Sequence, residues 1–474
     1  MSTSKQIEAV AYFRSLLRPI YRKRRFIHVA EVDAGLFGTA SILEELGALN
    51  PFLLAGNRGT TKSQFPGEAE ICTLNVQGAT IVETARRFEA MLSNLPPAIE
   101  DRINRWDPDL SAQWVCAAML SEISLVSGRI KYGRRKPEWT ALENKTTIDG
   151  FWDYAGIEHS QSRVVGLQDP NLNEAAMCLD SGLGTVWSAD NRDGVHGGAT
   201  GIRWLKRIRE IETLVREMGE FANSVRISPF LEGIPMSIHG IVFPKYVAVF
   251  RPVELITLRF KNQNQFLWAG CSTGYDPSDC DRFEMRRIAR NVGNCLRESV
   301  NYRGPFSIDG ILTESGFTPT ELNPRMSGGF GALTRGFSGL PLAPLCWSVI
   351  EDEPLDFRPS LLEQAILEAA DSSRVFGGHV VTLRRFDEVI ELGLVRDGED
   401  YREALPNEVP VVQLTCGPSP VGGIVFVRLA ESVTNTGLLV APEMVRALRY
   451  CDERFATGFG ELECAREMRS TATN

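Results

Sequence analysis

The stretch GPFSIDGILTESGFTPTELNPRMSGG, residues 304 to 329, constrains what this chain can fold into more than any other. Two runs, FSIDGIL and FTPTEL, place apolar residues at alternate positions and flank Glu314-Ser315-Gly316. A connection ending in glycine suits a turn, because glycine accepts positive φ. The pattern predicts a β-hairpin with a three-residue loop, and in that register Asp309 lies directly opposite Glu321. Side chains alternate faces along a strand, so Glu321, Asn323 and Arg325 project together with Asp309. Opposed Cβ atoms stand about 5 Å apart, where two carboxylates repel by about 3 kcal/mol at an effective dielectric of about 20. A cation between them reverses that sign. Aspartate, glutamate and an amide carbonyl are hard oxygen donors of the kind Mg²⁺ takes, with water and phosphate completing its shell. Arg325 cannot ligate a cation, but its planar fork suits a phosphate or carboxylate beside the metal. The same residues also read as a solvated ion-pair face on an exposed hairpin. Asn323-Pro324-Arg325 leads into Ser327-Gly328-Gly329, a turn whose backbone can approach a ligand closely, and this favours the metal-phosphate reading;.

A chain of 474 residues is too long for one ordinary core and is expected to divide into roughly two to four units;. Its formal charge of −9 argues against a nucleic-acid binder that works through a broad basic surface;. The ten cysteines form no C-x-x-C pair and show no Cys/His spacing, and with five histidines they point away from zinc;. The first 25 residues lack an apolar signal core, and no run approaches a membrane span;. A cytoplasmic protein with no membrane partner is the expectation.

The first third alternates strand-like and helix-like segments: FIHVAEV, then TASILEELGA, then PFLLAGNRG. Such alternation predicts an α/β unit with a parallel sheet over residues 1–135, and G-x-G-x-x-G is absent from it. After Gly133-Arg134-Arg135-Lys136-Pro137 comes a helix-like segment, WTALENKTTIDGFWDYAG. The strand SRVVGL, the helix LNEAAMCLDSG and the strand GTVWSAD follow. A loop, NRDGVHGGATG, then runs through IRWL into a long helix, KRIREIETLVREMGEFA. Strand, glycine-rich loop, strand and helix suit a lid whose backbone N–H groups bind phosphate oxygens, and they equally suit a plain glycine-rich hairpin turn. The segments VRISPFLEGIPMSIHGIVF and VAVFRPVELITLRF read as strands, and RFEMRRIARNVGNCLRESV as a helix. A Pro-rich acidic stretch, EDEPLDFRPS, suggests a boundary near residue 355, beyond which SRVFGGHVVTLRRF, VPVVQLTCG and GGIVFVRLAES read as strands before a helix from Pro442.

Taken together, these features resemble the ATP-grasp superfamily of carboxylate-activating ligases, over roughly residues 136 to 350. The most specific part is an acidic residue followed by E-x-N-x-R on the returning strand, here Asp309 and Glu321-Leu322-Asn323-Pro324-Arg325. A second is Glu143-Asn144-Lys145 before a helix and Ala155-Gly156-Ile157. A third is SPFLEG followed by MSIHG. The resemblance implies an α/β, α+β chain: an N-terminal parallel-sheet pre-grasp domain (1–135), a two-lobed ATP-grasp core (136–355) and a C-terminal α+β domain (356–474). Within the core it implies a lid at about 184–225 and the metal-binding hairpin at 304–329.

By that resemblance Asp309, Glu321 and Asn323 bind Mg²⁺, with Mn²⁺ as an alternative, and Arg325 stabilises charge on the phosphorylated substrate. Lys145, and the loop residues His196, Gly197 and Gly198, are candidates for the ATP phosphates. Backbone groups of Phe230 and Leu231 are candidates for adenine, and Glu232 for ribose or for an exposed turn. Arg303 near the reaction centre, and Arg251, Ser327 and Gly328 at the acyl substrate, complete the set; the two arginines equally suit structural ion pairs. Two departures stand out. Ser188 occupies the place of the family's second lysine and brings no charge, so that Arg192 or His196 would have to replace it. Pro235 stands where an acidic residue usually meets the ribose. The implied reaction is attack of a carboxylate on the γ-phosphate of ATP and capture of the acylphosphate by an amine, with ADP released. Small-molecule acid and amine partners follow, and a homodimer is compatible. Transfer to a carrier-protein thiol, and a nucleotide-binding regulatory protein without turnover, stand as alternatives.

Overall fold

The computed structural model describes residues 4–60, 65–78, 80–116, 123–194, 196–434 and 436–468. Val195 of the glycine-rich loop lies outside them. A helix, Ser4–Tyr21, precedes strands β1 (Phe26–Val32), β2 (Phe52–Asn57), β3 (Glu70–Thr73) and β4 (Gln113–Cys116), which form a wholly parallel sheet in the order β3-β2-β1-β4. The apolar runs FIHVA and FLLAG are buried throughout, as parallel strands under covering helices require;. A small antiparallel pair, β5 (Leu125–Val126) and β6 (Arg129–Ile130), ends this region.

The segment from Trp139 to Gly156 is not one helix. It breaks into a short helix (Pro137–Thr140), a 3₁₀ turn (Ala141–Glu143) and a helix at Ile148–Tyr154. Asn144 makes the break: its side-chain oxygen accepts from the Thr146 N–H and hydroxyl, a local bond that competes with helix, and Lys145 therefore sits in a turn;.

Strands β7 (Arg163–Gly166), β8 (Thr185–Ala189), β9 (Ile202–Leu205) and β10 (Ser224–Pro229) form an antiparallel sheet in the order β7-β10-β8-β9. Trp187, Ala189, Val225 and Ile227 pack with Leu214 and Met218 of the helix Ile211–Gly219 on one face. Alternation therefore leaves Ser188, Arg226 and Ser228 on the other;. The lid helix is shorter than its sequence suggests, because Ile208–Glu210 turns as a 3₁₀ helix.

The central sheet follows: β11 (Ile234–Val242), β12 (Val247–Val249), β13 (Val253–Phe260), β14 (Phe266–Ser272), β15 (Gly304–Thr313) and β16 (Gly316–Asn323). Its order is β14-β13-β11-β15-β16, with β12 beside β11. The 22-residue helix Asp279–Val300, capped by the Ser278 hydroxyl on the Asp281 N–H, buries Met285, Ile288, Val292 and Leu296 against it. Beyond residue 355 the chain adds a helix the sequence reading did not anticipate, Pro359–Ser372. It packs Leu362, Ala365, Ile366 and Ala369 in one core with Ala9, Phe13 and Leu17 of the first helix. Strands β17 (Gly377–Thr382), β18 (Ile390–Asp397), β19 (Asp400–Glu403), β20 (Val412–Ser419) and β21 (Gly422–Leu429) form the last sheet, covered by the helix Ala441–Phe455. The short β22 (Leu462–Glu463) returns to pair with β13. Among the described residues no helix is long and apolar enough to cross a membrane.

Candidate active site

Asp309 stands opposite Glu321 in the β15–β16 ladder, by a different route from the three-residue loop expected. Thr313 pairs with Gly316, so the connection is two residues long, with Gly316 at φ +128°;. A register shift next to Asp309 leaves Thr320 without an opposed partner and adds one residue back;. The two offsets cancel.

The polar face so made is continuous. Ser237 of β11, opposite Asp309, donates its hydroxyl to Asp309 at 2.6 Å. The Asn323 amide donates to the other Asp309 oxygen at 3.0 Å and its carbonyl accepts from Arg325 Nη2 at 2.7 Å. Arg325 Nε donates to Glu143 at 2.8 Å, and Glu143 is also paired with Arg135. Lys145 Nζ lies 2.7 Å from Glu321 Oε1. Burial and the facing Glu321 push the Asp309 carboxyl from 3.8 up to about 6;. Burial also acts to raise Glu143, but Arg325 and Arg135 outweigh it and hold that carboxyl low. Asp309, Glu321, Asn323, Arg325 and Lys145 are thus brought together.

Ser327 follows directly. Its hydroxyl meets His239 Nε2 at 2.8 Å, and burial pushes that imidazole down to about 3, so it is neutral at physiological pH;. His239 lies edge-on to Phe330, and a Cβ at Gly329 would fall 2.3 Å from its ring, so only glycine lets the turn pass;. Gly328 approaches Trp268, whose ring is 3.4 Å from where a Cβ would stand.

The residues of the 184–225 region and the segment after it are more occupied than the sequence suggests. His196 Nε2–H donates to the Asp190 carbonyl at 3.1 Å, and the ring packs on Phe221. Arg192 spends its donors on the Glu220 and Ala222 carbonyls, Asn223 and Asp193, tying the loop to the end of the lid helix. Gly197 accepts from Thr200 within the loop, and Gly198 takes φ +59° beside it. Ser188 is buried directly across from Arg226. The Phe230 N–H is bonded to the Gly184 carbonyl, and its ring stacks on Trp204 at 4.0 Å, so its contribution to a ligand is confined to its carbonyl. Glu232 is held by Arg259 through two hydrogen bonds of 2.9 and 2.7 Å and accepts from the Arg466 N–H at 3.2 Å, a structural pair rather than an open turn carboxylate.

Two arginines stand apart from this face. Arg251 is paired with Asp276 and Asp371 and lines a groove of about 890 Å³ with Arg282 and Arg286. Arg303 bonds the Tyr302 carbonyl at 2.8 Å and lies 3.9 Å from Asp352. Both are structural ion-pair partners in this arrangement. The sequence reading missed Ser237, His239, Glu143 and Arg135 as members of the network. The alternation of MSIHG on a strand paired with β15 was a signal for the first two.

No family model matches this chain, and no curated protein sequence matches it. Solved structures do match in three dimensions. N5-carboxyaminoimidazole synthase from Aspergillus clavatus, in complex with ADP and 5-aminoimidazole ribonucleotide, aligns over 92% of this chain and 100% of its own, at 12% identity and a TM-score of 0.50. Pyruvate carboxylase from Rhizobium etli aligns over 86% of this chain and 36% of its own, also at 12% and 0.50. An L-amino acid ligase from Bacillus licheniformis aligns over 87% and 95% at 13% identity, with a TM-score of 0.47. The chain adopts the ATP-grasp fold.

Within the ATP-grasp fold the donor chemistry of the hairpin fits a hard divalent cation. Two carboxylates face each other, one with its proton affinity raised, and the Asn323 carbonyl keeps one lone pair beyond the one Arg325 takes;. Among the described residues no group of three His, Cys, Asp or Glu side chains could hold a metal ion, and the hairpin offers two carboxylates and one amide oxygen.

Proposed function

We propose that this chain is an ADP-forming ligase that uses ATP and Mg²⁺ to activate a carboxylate as an acylphosphate and joins it to an amine. The observation that carries the reading is the face made by Asp309, Glu321, Asn323 and Lys145 on an ATP-grasp fold. The Aspergillus enzyme of the same fold is a complex with ADP, which supports a nucleotide in the cleft.

Mg²⁺ held by Asp309, Glu321 and Asn323 would neutralise the charge of the transferred phosphoryl. Lys145, paired with Glu321, would turn to the phosphates. A carboxylate oxygen of the substrate attacks the γ-phosphorus as the bond to the bridging oxygen of ADP breaks. The amine then attacks the acyl carbon, phosphate leaves, and the amine gives up a proton. Arg325 acts through Asn323: buried between Glu143 and that amide, it fixes the amide plane. Ser327, oriented by a neutral His239, offers a hydroxyl at the turn where the acyl group would lie. The glycine-rich lid excludes the water that would hydrolyse the acylphosphate.

The test is ADP release from MgATP in a pairwise screen of amino acids and small carboxylates, with products identified by mass spectrometry. Release that requires both an acid and an amine, with an amide as product, supports the reading; a thioester product redirects it to a carrier thiol. A second reading, nucleotide binding without turnover, is favoured by Ser188 and by the engagement of Arg192 and His196 elsewhere. MgATP binding with no ADP release for any pair would establish that reading instead.

A further inference from the structure

The lid carries a buried guanidinium whose position addresses the charge that Ser188 lacks. Ser188 and Arg226 are directly opposed in the β8–β10 ladder, and neighbours in such a pair project from the same face about 5 Å apart;. That face is turned away from the lid's own core of Trp187, Ala189, Val225 and Ile227. Three other cations of the lid are bound elsewhere: Arg192 to the end of the lid helix, Arg203 to the Thr200 and Ile202 carbonyls, and Lys206 to the carbonyls of Phe260, Lys261 and Gln263. Arg226 reaches toward the helix after Lys145. Its Nε and Nη2 reach both oxygens of Asp149 at 2.8 and 2.7 Å, on the helix that begins three residues after Lys145.

We propose that Arg226 is the lid's phosphate-binding cation, serving from the neighbouring strand in place of a lysine at position 188. The inference rests on the nucleotide-binding reading above. A guanidinium that takes a carboxylate through two parallel N–H bonds offers the same fork to two phosphate oxygens. Asp149 keeps other partners when the fork leaves, since it accepts from the Ser162 hydroxyl and lies 3.5 Å from His159. Arg226 would exchange one bidentate acceptor, Asp149, for another, the nucleotide phosphates;.

Calorimetric titration of the full chain with MgATP and with adenosine tests this without any assay of turnover. R226M should lose MgATP affinity by on the order of tenfold or more while adenosine affinity stays within about twofold. The double variant S188K/R226M should recover most of the loss. D149N, which keeps Arg226 but frees its fork, should bind MgATP at least as well as the wild type. Equal MgATP binding by R226M and wild type overturns the inference, as does a D149N variant that loses as much as R226M, because the pair is then only a strut. A wild type that binds adenosine and MgATP equally weakly overturns the nucleotide reading itself, a different pattern from the two just given.

Discussion

In the hairpin of β15 and β16 the polar face carries Asp309, Glu321 and Asn323 in one network. In the lid sheet it carries Ser188, Arg226 and Ser228 against a single carboxylate, Asp149, from the adjacent helix. Both sheets are antiparallel, and both hide an apolar face while carrying a polar one on the opposite side. They differ in how charge is matched. The hairpin forces two like charges together through the ladder, and Ser237, Asn323 and Lys145 only partly relieve them, so Asp309 is pushed up to about 6. In the lid one guanidinium meets one carboxylate. Burial acts to raise Asp149, yet hydrogen bonds from Arg226 and Ser162 hold it low. The hairpin is a place where a cation lowers the energy, and the lid is a place where a competing anion must displace an existing partner.

The sharpest way to break this comparison is at the residue behind the hairpin. Glu143 is buried between Arg135 and Arg325, and Glu143→Ala leaves both guanidinium groups without that carboxylate. Removing one partner of a buried pair typically costs about 3–5 kcal/mol, read here as a loss in the free energy of urea unfolding. A loss under about 1 kcal/mol would mean that the network is not a structural unit. Next in size is Asp309→Ala, which removes the carboxylate facing Glu321. ADP release should fall on the order of 100-fold or more, with the fold intact. Release at the wild-type rate would remove the hairpin from the site.

How much of this was legible in the sequence follows the same division. The Asp309–Glu321 pair could be read because strand pairing is local and the two residues are joined by one tight connection. Even so, the expected loop length was wrong by one residue and a bulge restored it. Two of the four parallel strands, β1 and β2, were legible from their apolar runs, whereas the short β3 and β4 were not singled out. The partners that decide each charge state were not. Arg325 finds Glu143 across 182 residues, Arg226 finds Asp149 across 77, and Arg251 finds Asp371 across 120. Nothing in the composition of any one segment encodes such a meeting. The helix Pro359–Ser372 was hidden for another reason: the Pro-rich acidic stretch before it reads as a boundary, while its apolar face is completed only by the first helix of the chain.

Glu254 of β13 is a second carboxyl that burial raises, with the charge of Glu467 adding to it. It is buried and accepts from the Val440 and Ala441 N–H groups at 2.9 Å each, yet burial still lifts it from 4.5 to about 7. A carboxyl raised on folding favours the folded state while it is protonated. Its contribution is therefore whole below about pH 4.5 and is lost as pH rises to about 7;. The shift caps this at about 3 kcal/mol. Across that window the unfolding free energy of the wild type should fall relative to that of E254Q. A constant difference between the two would mean that backbone N–H bonds alone hold Glu254 ionised.

The smallest effect concerns what keeps the lid in place while Arg226 changes partner. The Lys206 ammonium donates to three carbonyls of the turn after β13, Phe260 at 2.7 Å and Lys261 and Gln263 at 3.0 Å, and the Trp204 N–H donates to Asn264 beside it at 2.9 Å. These bonds join β9, at the outer edge of the lid sheet, to the end of β13 in the central sheet. Lys206→Met removes charge-assisted hydrogen bonds of about 1–2 kcal/mol in all. Because the core contacts of the lid are untouched, the loss should appear as local opening: faster proteolytic cleavage in the 190–201 loop, with global unfolding shifted only slightly. Cleavage at the wild-type rate would mean that the Lys206 bonds do not restrain this loop, and MgATP affinity lost to the same extent as in R226M would mean that the tether, rather than the guanidinium, presents the lid to the nucleotide.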